Sequence, residues 1–439
     1  MRVRPRLFLF IGFATLTTAG ACEASRRSTF GGVDDTTSAG GTSSATTTTA
    51  GGAGPATTGE GGFNLAGSGG STGSGTVGAS GPDDDSDKDG FTANTGDCND
   101  CDANVNPNAV EVVGGDGAGG GGGGVPVDEN CDGTVDEEPA TCDAMLALDS
   151  NDPMDAARAV DLCKVSTGPK DWGVIVANWV SVDGSLPPPS ANYPLGHGML
   201  SAFGPNVKVQ RGARMLGLSS GTARQPSDPG YQSVNGFSKG FTMNHPMGFP
   251  KESPSCGVSV TGQARDGAAV ELKIRVPSNA HGLKFDFDFY SFEWPNYVCS
   301  MFNDFFVAIL WPIPMGQTDG NISFDKIGNP VSVNNALVEV CGCPSGPPCI
   351  AGGKNFPCAL GTSELLGTGF GAELAFSDHG ATSWLATQAP VEPGSEISIR
   401  WGTYDSGDGL LDSTTLIDNW QWIATPGTKV GTDPVPDPE

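Results

Sequence analysis

The sequence predicts a mainly β protein: a large β-sandwich of the jelly-roll or lectin-like kind with long disulfide-stapled loops, preceded by an aspartate-rich loop module. Three observations predict it. Short alternating apolar segments recur through the second half, separated by Gly, Pro and Asn. Twelve cysteines accompany an export-type N-terminus. Aspartates stand at alternate positions and are followed by Gly at two separate places.

The strands come first in the argument. Val174-Ile-Val176, Val270-Glu-Leu-Lys-Ile-Arg-Val276, Phe285-Asp-Phe-Asp-Phe289, Ile397-Ser-Ile-Arg-Trp401 and Trp420-Gln-Trp422 alternate with period two. Such segments suit sheets that bury one face. Many short strands and few helical patterns point to a sandwich over residues 170–426, with 427–439 as a tail. Cys341, Cys343, Cys349 and Cys358 lie in one Gly/Pro-rich excursion, read as disulfide-stapled, with zinc as the lesser alternative. Ahead of the sandwich, residues 139–169 form a helical connector. Asp152 suits an N-cap and Pro153 the first helical position, with Met154, Ala157, Val160 and Leu162 facing inward. Cys142 and Cys163 are expected to pair and pin this helix.

Residues 1–21 read as a signal peptide. Arg2, Arg4 and Arg6 precede an apolar run from Leu7 to Leu16, too short to span a bilayer, and Ala19-Gly-Ala21 stands before Cys22. Small residues before a cysteine resemble the bacterial lipobox, and here lipoproteins of the myxobacterial type. The resemblance implies lipidation at Cys22 and an outer-membrane anchor, with each buried CH₂ contributing about 0.8 kcal/mol. Ala19 stands where the lipobox usually has Leu. The alternative is an ordinary signal cut near Ala21, which leaves Cys22 for a disulfide. If Cys22 is lipidated, eleven cysteines remain, so a free thiol or an unusual pairing is expected. Residues 22–82 then form a disordered Gly/Ser/Thr tether, too poor in apolar side chains to offset its ordering entropy.

Residues 83–138 carry the candidate metal ligands. Asp85, Asp87 and Asp89 hold positions 1, 3 and 5 of an EF-hand-type loop, Gly90 the sharp turn, and Phe91 the position whose carbonyl coordinates. Position 12 is Gly96, so Asp97 is the expected substitute. Asp128, Asn130, Asp132 and Asp136 repeat the spacing around Gly133. Carboxylates without histidine suit a hard cation, so Ca²⁺ is the expected cofactor and zinc is not. The alternative is a plain acidic linker.

Taken with Gly96-Asp-Cys98-Asn-Asp-Cys101 and Asn106-Pro-Asn-Ala-Val-Glu111, these loops resemble the metal-binding motif of bacterial surface proteins, akin to thrombospondin type 3 repeats. The resemblance implies bound calcium in place of an apolar core, and Cys98–Cys131 as the preferred disulfide. Cys101 is left open. The glycine run within 114–124 departs from that pattern.

A second resemblance begins at Phe289-Tyr-Ser-Phe-Glu-Trp-Pro-Asn-Tyr-Val-Cys-Ser-Met-Phe-Asn-Asp-Phe-Phe306. With Asn329-Pro-Val-Ser-Val-Asn-Asn335, Val391-Glu-Pro-Gly394 and Tyr404-Asp-Ser-Gly-Asp-Gly-Leu-Leu-Asp-Ser413, it resembles the choice-of-anchor L domain over roughly 265–423. The family implies surface display by varied anchors and no fixed activity. Glu293, Asp304, Asp405, Asp408 and Asp412 within those segments make a second candidate metal site. Asp and Gly are equally ordinary turn residues. Exposed aromatics such as Trp294 are the candidate ligand platform.

Charge narrows the function classes. The formal net is −27, and about −30 once residues 1–21 are removed. A chain so acidic lacks the cationic surface that nucleic acid requires. Gly217-Leu-Ser219-Ser-Gly221 matches G-x-S-x-G without the strand-to-helix setting a nucleophile needs. His197, His245, His281 and His379 show no ligand spacing. The expected protein is an exported, calcium-binding outer-membrane lipoprotein or extracellular module that adheres to a glycan or another surface protein. A polysaccharide-directed hydrolase using Glu293 and Asp405, or a structural envelope protein, are the alternatives.

Overall fold

The computed structural model describes residues 81–113, 126–257, 262–334, 337–343, 348–371 and 379–435. Signal peptide, Cys22, tether and glycine run lie outside them. Among the described residues no helix is long and apolar enough to cross a membrane.

The second half is built from two antiparallel sheets. The smaller has the order β1 (Gly173–Val180), β7 (Ala264–Arg275), β15 (Glu396–Ser406), β9 (Phe305–Trp311), and β6 (Thr242–Met243) also pairs with β7. The larger runs β10 (Val340–Cys341), β13 (Gly380–Ala381), β8 (Gly282–Ser291), β16 (Ser413–Ile423), β5 (Met215–Ser219), β2 (His197–Leu200). There β14 (Leu385–Pro390) pairs with both β8 and β17 (Gly431–Pro434). Two hairpins, β3 (Ala202–Phe203) with β4 (Val207–Lys208) and β11 (Cys349–Ala351) with β12 (Lys354–Phe356), lie apart. Residues 431–434, expected in a tail, thus belong to the larger sheet: Thr432 is buried and shares a 2.8 Å hydroxyl contact with Thr387.

Alternation explains how the sheets share a core. Phe285, Phe287 and Phe289 of β8 enter one apolar cluster with Val270, Leu272 and Ile274 of β7 and Ile397, Ile399 and Trp401 of β15. Side chains two apart leave one face of a strand together, so each sheet contributes its inward set. The outward set of β8 is buried as well. Asp286, Asp288 and Tyr290 are at most 1% exposed. Tyr290 packs with Phe203, Leu365 and Phe370 from excursions laid over that face.

The connector folds as expected over a shorter span. Helix α1 covers Pro153–Arg158, and Asp152 accepts the Met154 N–H at 3.0 Å. Ala157, Val160 and Leu162 join the main core, Met154 packs against its edge, and Cys142–Cys163 closes the segment. The aspartate-rich module differs in kind. Among its described residues it has one 3-10 turn, Ala93–Thr95, and the buried apolar residues are Val105 and Ala109. Polar contacts dock it on the β-domain: Ser278 N–H donates to the Asn108 carbonyl at 3.0 Å, and Asn279 bonds Val110 through both its amide atoms.

Candidate cation sites

In the first loop Asp85, Asp87 and Asp89 each offer a carboxylate oxygen, and these lie within 4.8 Å of one another. An ion held at about 2.4 Å spans ligand separations up to roughly twice that distance. Backbone N–H groups set the geometry. Asp85 accepts from Lys88 at 2.6 Å and Gly90 at 3.0 Å, and Asp89 accepts from Phe91 at 2.7 Å. Lys88 (φ +69°) and Gly90 (φ +97°) are left-handed. The second loop repeats this: Asp128 accepts from Asp132 at 3.1 Å and Gly133 at 2.9 Å, and Asp132 accepts from Thr134 at 2.8 Å. Its fourth and sixth residues, Cys131 (φ +58°) and Gly133 (φ +95°), are left-handed in turn. The spacing seen in the sequence is therefore a repeat of conformation, with Asn130 accepting from Asp132 at 2.9 Å.

One oxygen each of Asp87, Asp89 and Asp97 is buried without a hydrogen-bond partner. Burial, aided by neighbouring carboxylates, pushes Asp87 up to about 6 and raises Asp89 and Asp97. Asp97, the substitute expected for the last ligand, is buried near Asp87 and Asp89 but does not join the group of three within 4.8 Å. Phe91 lies under the Lys170 ammonium, 5.3 Å from its ring centre.

Three acidic groups were not singled out as ligands by the sequence. Asp100 accepts from Ser86 N–H at 3.1 Å and closes the first loop. Glu111 accepts from Asn130 N–H and Asp136 N–H, both at 3.0 Å, and straps the second. Glu129, 1% exposed, accepts from Val112 N–H at 3.2 Å. The first two stand in the quoted motif, so the signal was present but had been taken as framework.

Cys98–Cys131 and Cys142–Cys163 form as expected. Cys256–Cys299, Cys341–Cys358 and Cys343–Cys349 complete five pairs, and Cys101 is disulfide-bonded too. No described cysteine is free. Cys343, Cys349 and Cys358 cluster within 4.8 Å, but sulfurs in disulfides are not thiolate ligands, which removes the zinc alternative there.

In the β-domain Glu293, Asp304, Asp405 and Asp412 come from four separate segments and are each at most 3% exposed. A register shift between Thr403 and Asp405 on the β7 side re-aims Asp405. Ser413 Oγ donates to Asp304 Oδ2 at 2.6 Å, and Glu293 Oε2 accepts the Asp304 N–H at 3.3 Å. Burial raises all four; repulsion from Asp405 adds to it at Glu293, Asp304 and Asp412, and Asp405 itself, with Asp266 as its repelling neighbour, is pushed up to about 7. Asp408 differs from expectation: it is exposed, its carboxylate turned to the Leu410 N–H at 3.3 Å in its own turn. Among the described residues these carboxylates do not meet at the 4.8 Å spacing of the first loop.

Ser219 lies in β5 beside this cluster. Its Oγ donates to the Ser413 carbonyl at 3.1 Å and accepts from Gly221 N–H and Thr414 Oγ1. A Cβ on Gly221 would fall 1.8 Å from Asp412 Oδ2, so the glycine makes room for a carboxylate rather than for an elbow. His379 stacks on Phe292 at 3.4 Å, its Nδ1 against the Trp294 carbonyl. Burial beside Lys239 and Arg224 pushes His197 down to about 3.

Trp294 is a correction. It is 1% exposed, packed with Phe356 and Cys341 under the disulfide excursion. Other indoles line a cleft of about 650 Å³ between module and β-domain, formed by Trp172, Trp420, Trp422, Val110, Arg211 and Gln421, with Trp172 and Trp422 half-buried and Trp420 buried. Trp420 and Trp422 meet edge to face at 5.2 Å.

This is an exported-type β-domain with buried carboxylates, joined to a core-poor acidic module. Residues 256–420 match the Choice-of-anchor L domain family, covering most of the stretch where the sequence resembled it. The match indicates a cell-surface-associated protein. No curated protein matches the chain.

Proposed function

We propose that this chain is a calcium-binding, surface-displayed adhesive module; a lipid on Cys22 would anchor it at the outer membrane only if Cys101, disulfide-bonded while the other ten described cysteines pair among themselves, takes a partner other than Cys22. It takes an extracellular glycan or another surface protein on a lectin-like β-sandwich. The single observation that supports it best is the meeting of Asp85, Asp87 and Asp89 within 4.8 Å, where three like charges gather in one loop. Oxygen donors alone favour Ca²⁺, and Asp97 with the Phe91 carbonyl would complete the first set. Asp128, Asn130, Asp132 and Asp136 would hold a second ion.

The cleft between module and β-domain is the natural ligand position. Its volume lies within the roughly 300–1,000 Å³ of small-molecule sites, and it joins indole faces to a few polar groups. A sugar ring has an apolar C–H face for Trp422, and its hydroxyl edges would have to share Arg211 with Pro139, Glu138 and Asp161 and share Gln421 with Asn419. One wall, Pro107 to Val113, belongs to the module, so calcium would act by holding that wall.

The test is a glycan array probed with the mature chain in calcium and in EGTA, beside Trp422→Ala. The expected result is binding that both chelation and the substitution reduce at least tenfold. Binding indifferent to both, or none to any glycan or envelope protein, contradicts the reading. Lipid and disulfide cannot share one sulfur, so the mass of the mature N-terminal peptide decides the state of Cys22.

A further inference from the structure

The Asp304–Asp405 pair sits in the strongest unexplained environment of the molecule, apart from the aspartate-rich loops. Each of the two carboxyl groups bears on the other's charge, so like charges meet there unless a proton or another positive charge lies between them. Neither residue exceeds 2% exposure. Asp405 and Asp412 have both oxygens buried without a partner, and Asp304 has one. Asn303, fully buried next to Asp304, leaves both its amide oxygen and its amide nitrogen unpartnered. Ser406 Oγ is in the same condition.

Nearby cationic charge does not settle this account. The Lys239 ammonium lies close enough to act on Asp266, Asp405 and Asp412, but donates to the Ser219 carbonyl at 2.8 Å. Asp266 is already satisfied by Ser238 Oγ, Lys239 N–H and Phe241 N–H. One ammonium therefore faces Glu293, Asp304, Asp405 and Asp412. Isolated charges are not retained in an interior unless paired.

We infer that the β-domain holds its own divalent cation of the calcium class, between Asp304 and Asp405 with the Asn303 side-chain oxygen, and with Glu293 and Asp412 balancing its charge. The donors are all oxygens, and calcium accepts six to eight of them in adaptable geometry. Asp408, exposed in its turn, is not a ligand. The four carboxylates stand on the turns that enter β9 and β16, leave β8 and end β15, so the ion would tie both sheets at one edge. This site is independent of the module loops and stands or falls without them.

The experiment counts calcium by elemental mass spectrometry in the mature chain and in Asp405→Asn, after dialysis against trace calcium. The expected result is one ion fewer in the variant and a lower melting temperature, with the two proteins converging in EDTA. Equal calcium content, with Asp405→Asn melting at or above the parent, would overturn the inference, because the carboxyls then share protons. Should Asp405→Asn fail to fold, a chain substituted in both module loops, Asp87→Asn, Asp89→Asn, Asp128→Asn and Asp132→Asn, serves instead. It should retain a calcium ion that exchanges for terbium with luminescence sensitised by nearby Tyr404. No sensitised terbium signal would equally overturn it.

Discussion

Removing calcium with EDTA lowers the melting temperature of the mature chain by roughly 5–10 °C for each ion held near a hundred times its Kd. Such an ion contributes about 2.7 kcal/mol, and each kcal/mol moves a domain of this size by about 2–4 °C. The module responds first, because among its described residues Val105 and Ala109 are the buried apolar side chains and the rest of its hold is the Cys98–Cys131 disulfide and polar contacts. Proteolysis in EDTA should therefore cut within residues 81–138 before the β-domain is touched. The pH dependence gives the same account a sign. With Asp87 pushed up to about 6, and Asp89 and Asp97 raised, the ion-free fold binds protons more tightly than the unfolded chain. That contribution is fully present below about pH 4 and is lost as pH rises through about 6. In EDTA the melting temperature falls from pH 4 to pH 7, whereas in excess calcium the ion replaces the protons and the fall is smaller, the remainder coming from buried carboxyls outside the loops such as Asp288 and Asp418. A fall of equal size in both conditions contradicts calcium at these carboxylates.

The second large effect is at Trp401. It is fully buried on β15 and meets Phe285 of β8 at 5.3 Å and Trp420 of β16 at 5.9 Å, both edge to face. Its contacts therefore cross from the smaller sheet to the larger. Trp401→Ala should cost about 3–5 kcal/mol in urea unfolding. Trp401→Phe should cost clearly less, since it keeps an aromatic ring and removes an indole N–H that has no partner. A loss below about 1 kcal/mol in the alanine variant would mean the sheets do not depend on one shared core.

Particular residues show what the sequence could and could not carry. Strands β7, β8 and β15 were legible because one face of each is strongly apolar and the intervening residues are polar. Strands β2 and β5 were not, because every residue of His197–Leu200 and Met215–Ser219 is buried and alternation vanishes. The run Phe305–Trp311, apolar on both faces and so without alternation, is the edge strand β9 beside β15. The aspartate loops were legible because their ligands are close in sequence and their turns need left-handed residues at fixed places. The β-domain carboxylates were legible as residue types, but neither the register shift at Asp405 nor the outward turn of Asp408 has a local signature. Trp294 was misplaced for a related reason: an aromatic beside Pro295 resembles a loop tip, and only the folding back of Phe356 and Cys341 covers it. The Trp172–Trp420–Trp422 cleft joins segments some 250 residues apart, and composition alone cannot bring them together.

Calcium content of the mature protein, counted by native mass spectrometry at neutral pH, tests the central claim most directly. The account predicts at least two tightly held ions, reduced by substituting Asp87 and Asp89 together. A chain that sheds all calcium on dilution, and keeps its fold and protease resistance without it, would contradict the claim.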